Sequence, residues 1–131
     1  TVLKSMPTMA MINNFFGMTV ANAMAEAFAI ADRTNIDRDK LHAVMAAGPL
    51  HSGMMDFVKA YAVDGNPNQL AFTIKNAAKD VGYYSQMAAS AGAPSHMSQG
   101  ALVALQSAIE AGKGEDMISQ MVDFFTTAAE R

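Results

Sequence analysis

Apolar positions in this chain recur at three- and four-residue spacing almost throughout, and no stretch alternates at period two for long enough to make a strand. The longest apolar run is "TMAMINNFFGMTVANAMAEAFAIA", residues 8–31, where Glu26 is the only charge between Lys4 and Asp32. Pro7 suits the first turn of a helix, so the pattern predicts a helix over 8–33, well above average length. "TNID" breaks it, and Asp37 is a good N-cap for a second helix over 38–47 that ends at Gly48-Pro49. Ser52 is placed to cap a third, over 53–63, before the turn "DGNPN". A fourth covers 72–91, with Gly92 as its C′ residue and Pro94 beyond. A fifth covers 95–111 and stops at "GKG"; a sixth starts at Glu115 or Asp116 and runs to Ala129. The expected fold is all-α, with about six helices around one long central helix. Residues 1–131 make one domain, without internal repeat, low-complexity tract or linker.

On a helical wheel the first element has two apolar sides. Ala10, Asn14, Gly17, Ala21 and Ala25 form a ridge of small residues that lets something approach the backbone closely. Phe16, Val20, Ala23, Ala27 and Ile30 populate another side. A helix that is apolar nearly all round is expected to be buried on all sides, in the bundle or in a subunit interface.

Composition sharpens this picture. Hydrophobic residues make up 51% and charged residues 16%, with twelve Met. That balance predicts helices packed against a partner or against the rest of a longer protein. Residues 5–25 form an uncharged window of bilayer length. Ser5, Pro7, Thr8, Asn13, Asn14, Thr19 and Asn22 interrupt it, and no basic cluster or aromatic belt flanks it, so a membrane span is not expected. A signal peptide fails on the same polar breaks. A net charge of −3 gives no reason to expect a nucleic-acid partner. The absence of Cys removes disulfides and zinc–cysteinate sites, and suits a cytoplasmic location.

Candidate chemistry is sparse. Asn13 and Asn14 point about 100° apart on a helix, so one can face a cleft while the other ties a neighbouring backbone. An amide both donates and accepts, and holds a hydroxyl or a carboxylate without adding charge. The alternative is that both amides satisfy buried backbone groups. His42, His51 and His96 lack metal-ligand spacing, and His51 lies in the glycine-bounded turn "GPLHSG". Lys75 and Lys79 share a helical face with Asp80 one step round: either an anion contact or a solvated surface. No metal site, nucleophilic triad or phosphate-binding glycine loop is legible. The residues alone give a helical domain with a polar cleft and do not name a reaction.

The order of the motifs goes further. The Asn-Asn pair, "AEA" at residues 25–27, G-x-x-x-S at Gly48 to Ser52, F-x6-K-D from Phe72 to Lys79-Asp80, and a G-x-P turn follow one another over nearly the whole chain from Met9. This arrangement resembles the C-terminal domain of the β-hydroxyacid dehydrogenases, the relatives of 3-hydroxyisobutyrate dehydrogenase and tartronate semialdehyde reductase, akin to 6-phosphogluconate dehydrogenase.

The resemblance implies an all-α domain that closes the active site and builds a dimer or tetramer, beside an N-terminal Rossmann domain that carries NAD or NADP. With no G-x-G-x-x-G here, that domain is expected to be absent from this chain, and the chain alone to be inactive. The implied activity is oxidation of a small hydroxy acid, or reduction of its semialdehyde, by hydride transfer. Asn14 takes the place of the family's catalytic, substrate-orienting amide; His51 and Ser52 fall near the substrate; Lys79 and Asp80 border the cofactor. The family motif G-x-G-x-x-x-K-x-x-N-N puts a catalytic lysine at position 10, and here that residue is Ala10. Lys4 is six residues too early, about 9 Å along a helix. The departure leaves an alternative open: a non-catalytic oligomerisation or binding module with a vestigial cleft.

Overall fold

The small-residue ridge of the first helix is the axis on which the others pack. The computed structural model describes residues 2–128, with side chains from Ser5 onward. Among the described residues there are six α-helices and no strand: α1 (Val2–Arg33), α2 (Arg38–Ala46), α3 (Gly53–Ala62), α4 (Ile74–Ser90), α5 (His96–Glu110) and α6 (Met121–Thr127). Short 3₁₀ turns, Pro67–Leu70 and Ile118–Gln120, precede α4 and α6. From α1, Ala21, Ala25 and Phe28 are fully buried against Val58 of α3, Ala77 and Val81 of α4, Leu105 of α5 and Met121 and Val122 of α6. Burying one such large side chain contributes about 1.5–3 kcal/mol.

Several boundaries differ from the sequence pattern. Pro7 lies inside α1, not in its first turn. Its fixed φ is helical, so the loss is one hydrogen bond and some crowding at the carbonyl four residues back. The expected end of the last helix, Ala129, lies outside the described residues, as does the side chain of Lys4.

The largest difference concerns residues 115–118, expected as the start of the last helix. With Gly114 they form a turn and a bend that lead into the Ile118–Gln120 3₁₀ turn, beside the start of α4. Ile74 N–H donates to Asp116 O (2.8 Å), Lys75 N–H to Gly114 O (2.9 Å), and Ile118 N–H to Phe72 O (2.8 Å). Thr73 is the N-cap of α4, accepting from Asn76 N–H at 3.2 Å. The first amides of α4, which have no partner within the helix, are therefore satisfied from outside it. Two expected caps hold as placed: Ser52 Oγ accepts from Met55 N–H at 3.2 Å, and Gly92 follows α4 with φ +71°. Asp37 occupies the N-cap position of α2 but makes no capping bond.

Of the two expected settings for α1, the middle of the bundle is not found: the chain's own helices bury it on one side only. The side with Ala21 and Ala25 is buried, but Phe16 is 67% exposed, Ile30 55%, and Ala23 is open too. Five shorter helices cover one side of a 32-residue helix and leave the other uncovered.

Polar ties fix the C-terminal end of α1. Arg38 grips Asp32 with two bonds, Nε to Oδ1 at 2.9 Å and Nη2 to Oδ2 at 2.6 Å, and donates Nη1–H to Ala62 O at 2.8 Å. Thr126 Oγ1 donates to Asp32 Oδ2 at 3.1 Å. These bonds hold the Asp32 carboxyl below its ordinary value. One carboxylate thus joins α1, α2 and α6, with Arg38 carrying the tie on to the end of α3. Tyr61 donates to Asp123 Oδ2 between α3 and α6.

Candidate active-site cleft

The other end of α1 carries the candidate site. Asn14 is exposed on α1, and its Nδ2 lies 3.4 Å from Oδ2 of half-buried Asp80 on α4. One position on, Phe15 stacks on Tyr84 of α4, centroids 4.0 Å apart and planes within 5°. Tyr84 is one helical turn beyond Asp80, so the ring pair and the polar pair are two rungs of one α1–α4 contact. Two residues 66 apart in sequence, both singled out as site candidates, are thereby brought within reach.

Lys79 is exposed and makes no ion pair or side-chain hydrogen bond among the described residues, whereas Lys75 is paired with Glu115 at 2.8 Å. The shared lysine face therefore divides into one paired and one unpaired ammonium. Asn13 is exposed and makes no side-chain hydrogen bond among the described residues, so neither asparagine serves as a buried backbone tie.

His51 and Ser52 sit in the turn leading into α3. Met54, the second residue of α3, reaches α1 one helical turn beyond Asn14, its methyl 3.7 Å from the position a Cβ would take at Gly17. A Cβ there would meet that methyl at ordinary van der Waals distance. Asp56, in the first turn of α3, binds two imidazoles: His51 Nε2 at 2.8 Å and His42 Nε2 of α2 at 3.0 Å. The His51 bond is the main cause that holds the Asp56 carboxyl below its ordinary value. The sequence reading missed Asp56. A signal was present: with Ser52 as N-cap, His51 is the residue before the cap and Asp56 the fourth of the helix. Those two positions meet in the hydrophobic staple, here filled by a polar pair.

A further cavity of about 360 Å³ lies farther along α1, between α1 and α5, lined by Asn22, Glu26, His96 and Phe125 among others. Asn22 Nδ2 donates to Met18 O at 3.0 Å within the helix. Among the described residues there is no group of three or more His, Cys, Asp or Glu that could hold a metal ion, and no helix long and apolar enough to cross a membrane.

A family model described as NAD-binding of NADP-dependent 3-hydroxyisobutyrate dehydrogenase matches residues 7–125. The chain belongs to that family, the β-hydroxyacid dehydrogenases. Among solved structures, this β-hydroxyacid dehydrogenase chain is similar to 3-hydroxyisobutyrate dehydrogenase from Salmonella typhimurium, at 25% identity and a TM-score of 0.80 over 89% of this chain and 41% of that one. The fold is also shared with 3-hydroxyisobutyrate dehydrogenase from Mycobacterium tuberculosis, in a structure with L-serine, at 19% identity and a TM-score of 0.70 over 89% and 42%. The chain spans about two fifths of the length of those relatives. No curated protein sequence matches it. The all-α fold and the family expected from the motif order are both found.

Proposed function

We propose that this chain is the helical domain of an NAD(P)-dependent 3-hydroxyacid dehydrogenase, which oxidises a small hydroxy acid or reduces the matching semialdehyde. It works with a Rossmann domain of the same protein and within a homo-oligomer. One observation carries the reading: Asn14 and Asp80, matched separately to the family's substrate and cofactor positions, meet at 3.4 Å across α1 and α4.

In this reading the Asn14 amide holds the substrate hydroxyl or carboxylate, spending no charge and keeping donor and acceptor both in use. His51 and the hydroxyl of Ser52, whose lone pair is committed to Met55 N–H while its own proton is free, border the substrate from the α3 side. The exposed Lys79 ammonium fits an anionic or amide-bearing dinucleotide, with Asp80 beside it. NAD(P), when bound, supplies the hydride acceptor. The open side of α1, with Ile12, Phe16 and Ile30 exposed, is what supports an oligomer.

The test is turnover. The protein together with its dinucleotide-binding domain is assayed with NAD⁺ and NADP⁺ across a panel of small hydroxy acids, beside the variants Asn14→Ala and Ala10→Lys. Turnover that falls at least tenfold in Asn14→Ala supports the reading. A second reading, a non-catalytic oligomerisation or binding module, is favoured by Ala10, which cannot supply the family's ammonium. It predicts no turnover in the wild type and recovery only in Ala10→Lys.

A further inference from the structure

The geometry points to Asp56 as a positioning residue that makes His51 the proton acceptor of the cleft, in the role an ammonium at position 10 would otherwise fill. The inference deepens the dehydrogenase reading and rests on it.

An ionised carboxylate only accepts hydrogen bonds, so each imidazole nitrogen that meets Asp56 must carry its proton. His51 Nε2 meets Oδ2 at 2.8 Å and His42 Nε2 meets Oδ1 at 3.0 Å. Both neutral rings are therefore fixed as Nε2–H tautomers, with the lone pair on Nδ1. The two rings differ in exposure. The His42 side chain is 14% exposed, packed between α2 and α3, while that of His51 is 48% exposed in the turn before α3. His51 Nδ1 makes no hydrogen bond among the described residues, so its lone pair is available to a bound molecule. His42 braces the second oxygen and stops the carboxylate from rotating away.

The chain's own layout brings the start of α3, which follows His51, to the stretch of α1 that carries Asn14. Met54 of α3, three residues beyond His51, sets its methyl against Gly17 of α1, one turn past Asn14 on the same ridge. During oxidation of the hydroxy acid the substrate O–H and C–H bonds break and a carbonyl forms. The proton would pass to His51 Nδ1, and an oxidised dinucleotide, when bound, would supply the hydride acceptor that balances the two electrons. The imidazolium that results is held by the Asp56 carboxylate already at its other nitrogen, the arrangement in which a carboxylate fixes the tautomer and offsets the charge of a histidine base.

Two measurements test it, one of which needs no activity. Long-range ¹H–¹⁵N correlation spectra of histidine-labelled protein report the tautomer. His51 is expected as Nε2–H in the wild type and as a mixture in Asp56→Asn, and a wild-type Nδ1–H tautomer overturns the inference while leaving the dehydrogenase reading intact. The second uses His51→Gln, whose amide still donates to Asp56, so a purely structural tie survives. With the dinucleotide-binding domain present, kcat is expected to fall about a hundredfold or more with KM changed little. Full activity in His51→Gln overturns this inference alone. Absence of turnover in the wild type overturns it together with the dehydrogenase reading.

Discussion

Phe15 lies flat on Tyr84, and that ring pair sets the separation of α1 and α4 at the point where Asn14 meets Asp80. Phe15→Ala removes the stack and part of the packing, an expected loss of about 2 kcal/mol in unfolding free energy. Phe15→Leu keeps most of the apolar contact and is expected to cost about half as much. Denaturant titration compares the three proteins, and equal midpoints for all of them refute the account.

Asn14→Asp is a sharper probe of the cleft than Asn14→Ala. It places a second carboxylate within 3.4 Å of Asp80 Oδ2, where the amide Nδ2 now donates. Like charges at that distance disfavour joint ionisation. An anionic hydroxy acid is expected to bind at least tenfold more weakly, seen as a rise in KM that shrinks in high salt. A KM that does not move argues that Asn14 faces away from the substrate anion.

The Arg38–Asp32 clamp sets an acid limit on stability. Its folded carboxyl lies below the ordinary value of 3.8, chiefly through the Arg38 hydrogen bonds. A lowered folded value means that the contribution is full above 3.8 and is lost as pH falls through the folded value. Asp56 acts with the same sign through His51. Asp32→Asn is therefore expected to cost about 2 kcal/mol near neutrality. The gap in melting temperature between it and the wild type should close below about pH 4. A gap that stays constant down to the acid transition counts against the clamp.

Two phenylalanines on one helix separate core from surface. Phe28 is fully buried and Phe16 is 67% exposed. Phe28→Ala is expected to cost about 4 kcal/mol, the range for emptying a large core site. Phe16→Ala in the monomeric chain should stay within about 0.5 kcal/mol. If analytical ultracentrifugation shows a dimer, Phe16→Ala is expected to weaken it.

What the sequence disclosed and what it hid follow one physical division. Helical period, the Ser52 cap and the Gly92 stop are local, so spacing alone located them. Which side of α1 faces the core is not local. Phe16 and Phe28 are equally apolar, and only the positions of α3, α4, α5 and α6 distinguish them. The start of α4 was misplaced because its donors are satisfied by carbonyls some forty residues away, which no local pattern records. In the cleft, Asn14 and Asp80 were found separately by motif order, but their contact requires the tertiary structure. Asp56 escaped because the residue that meets the one before the cap is ordinarily apolar, while this chain places a histidine and an aspartate there.

The segment 114–118 looks like a spacer between α5 and α6, yet it completes the start of α4 through Asp116 and Gly114. The chain cannot finish that helix as it emerges in order; it must wait for residues forty positions later to arrive. A cut or a relocated terminus at Lys113 would therefore fray the helix that carries Lys79 and Asp80. The durability of the cleft is decided at a connection that never touches it.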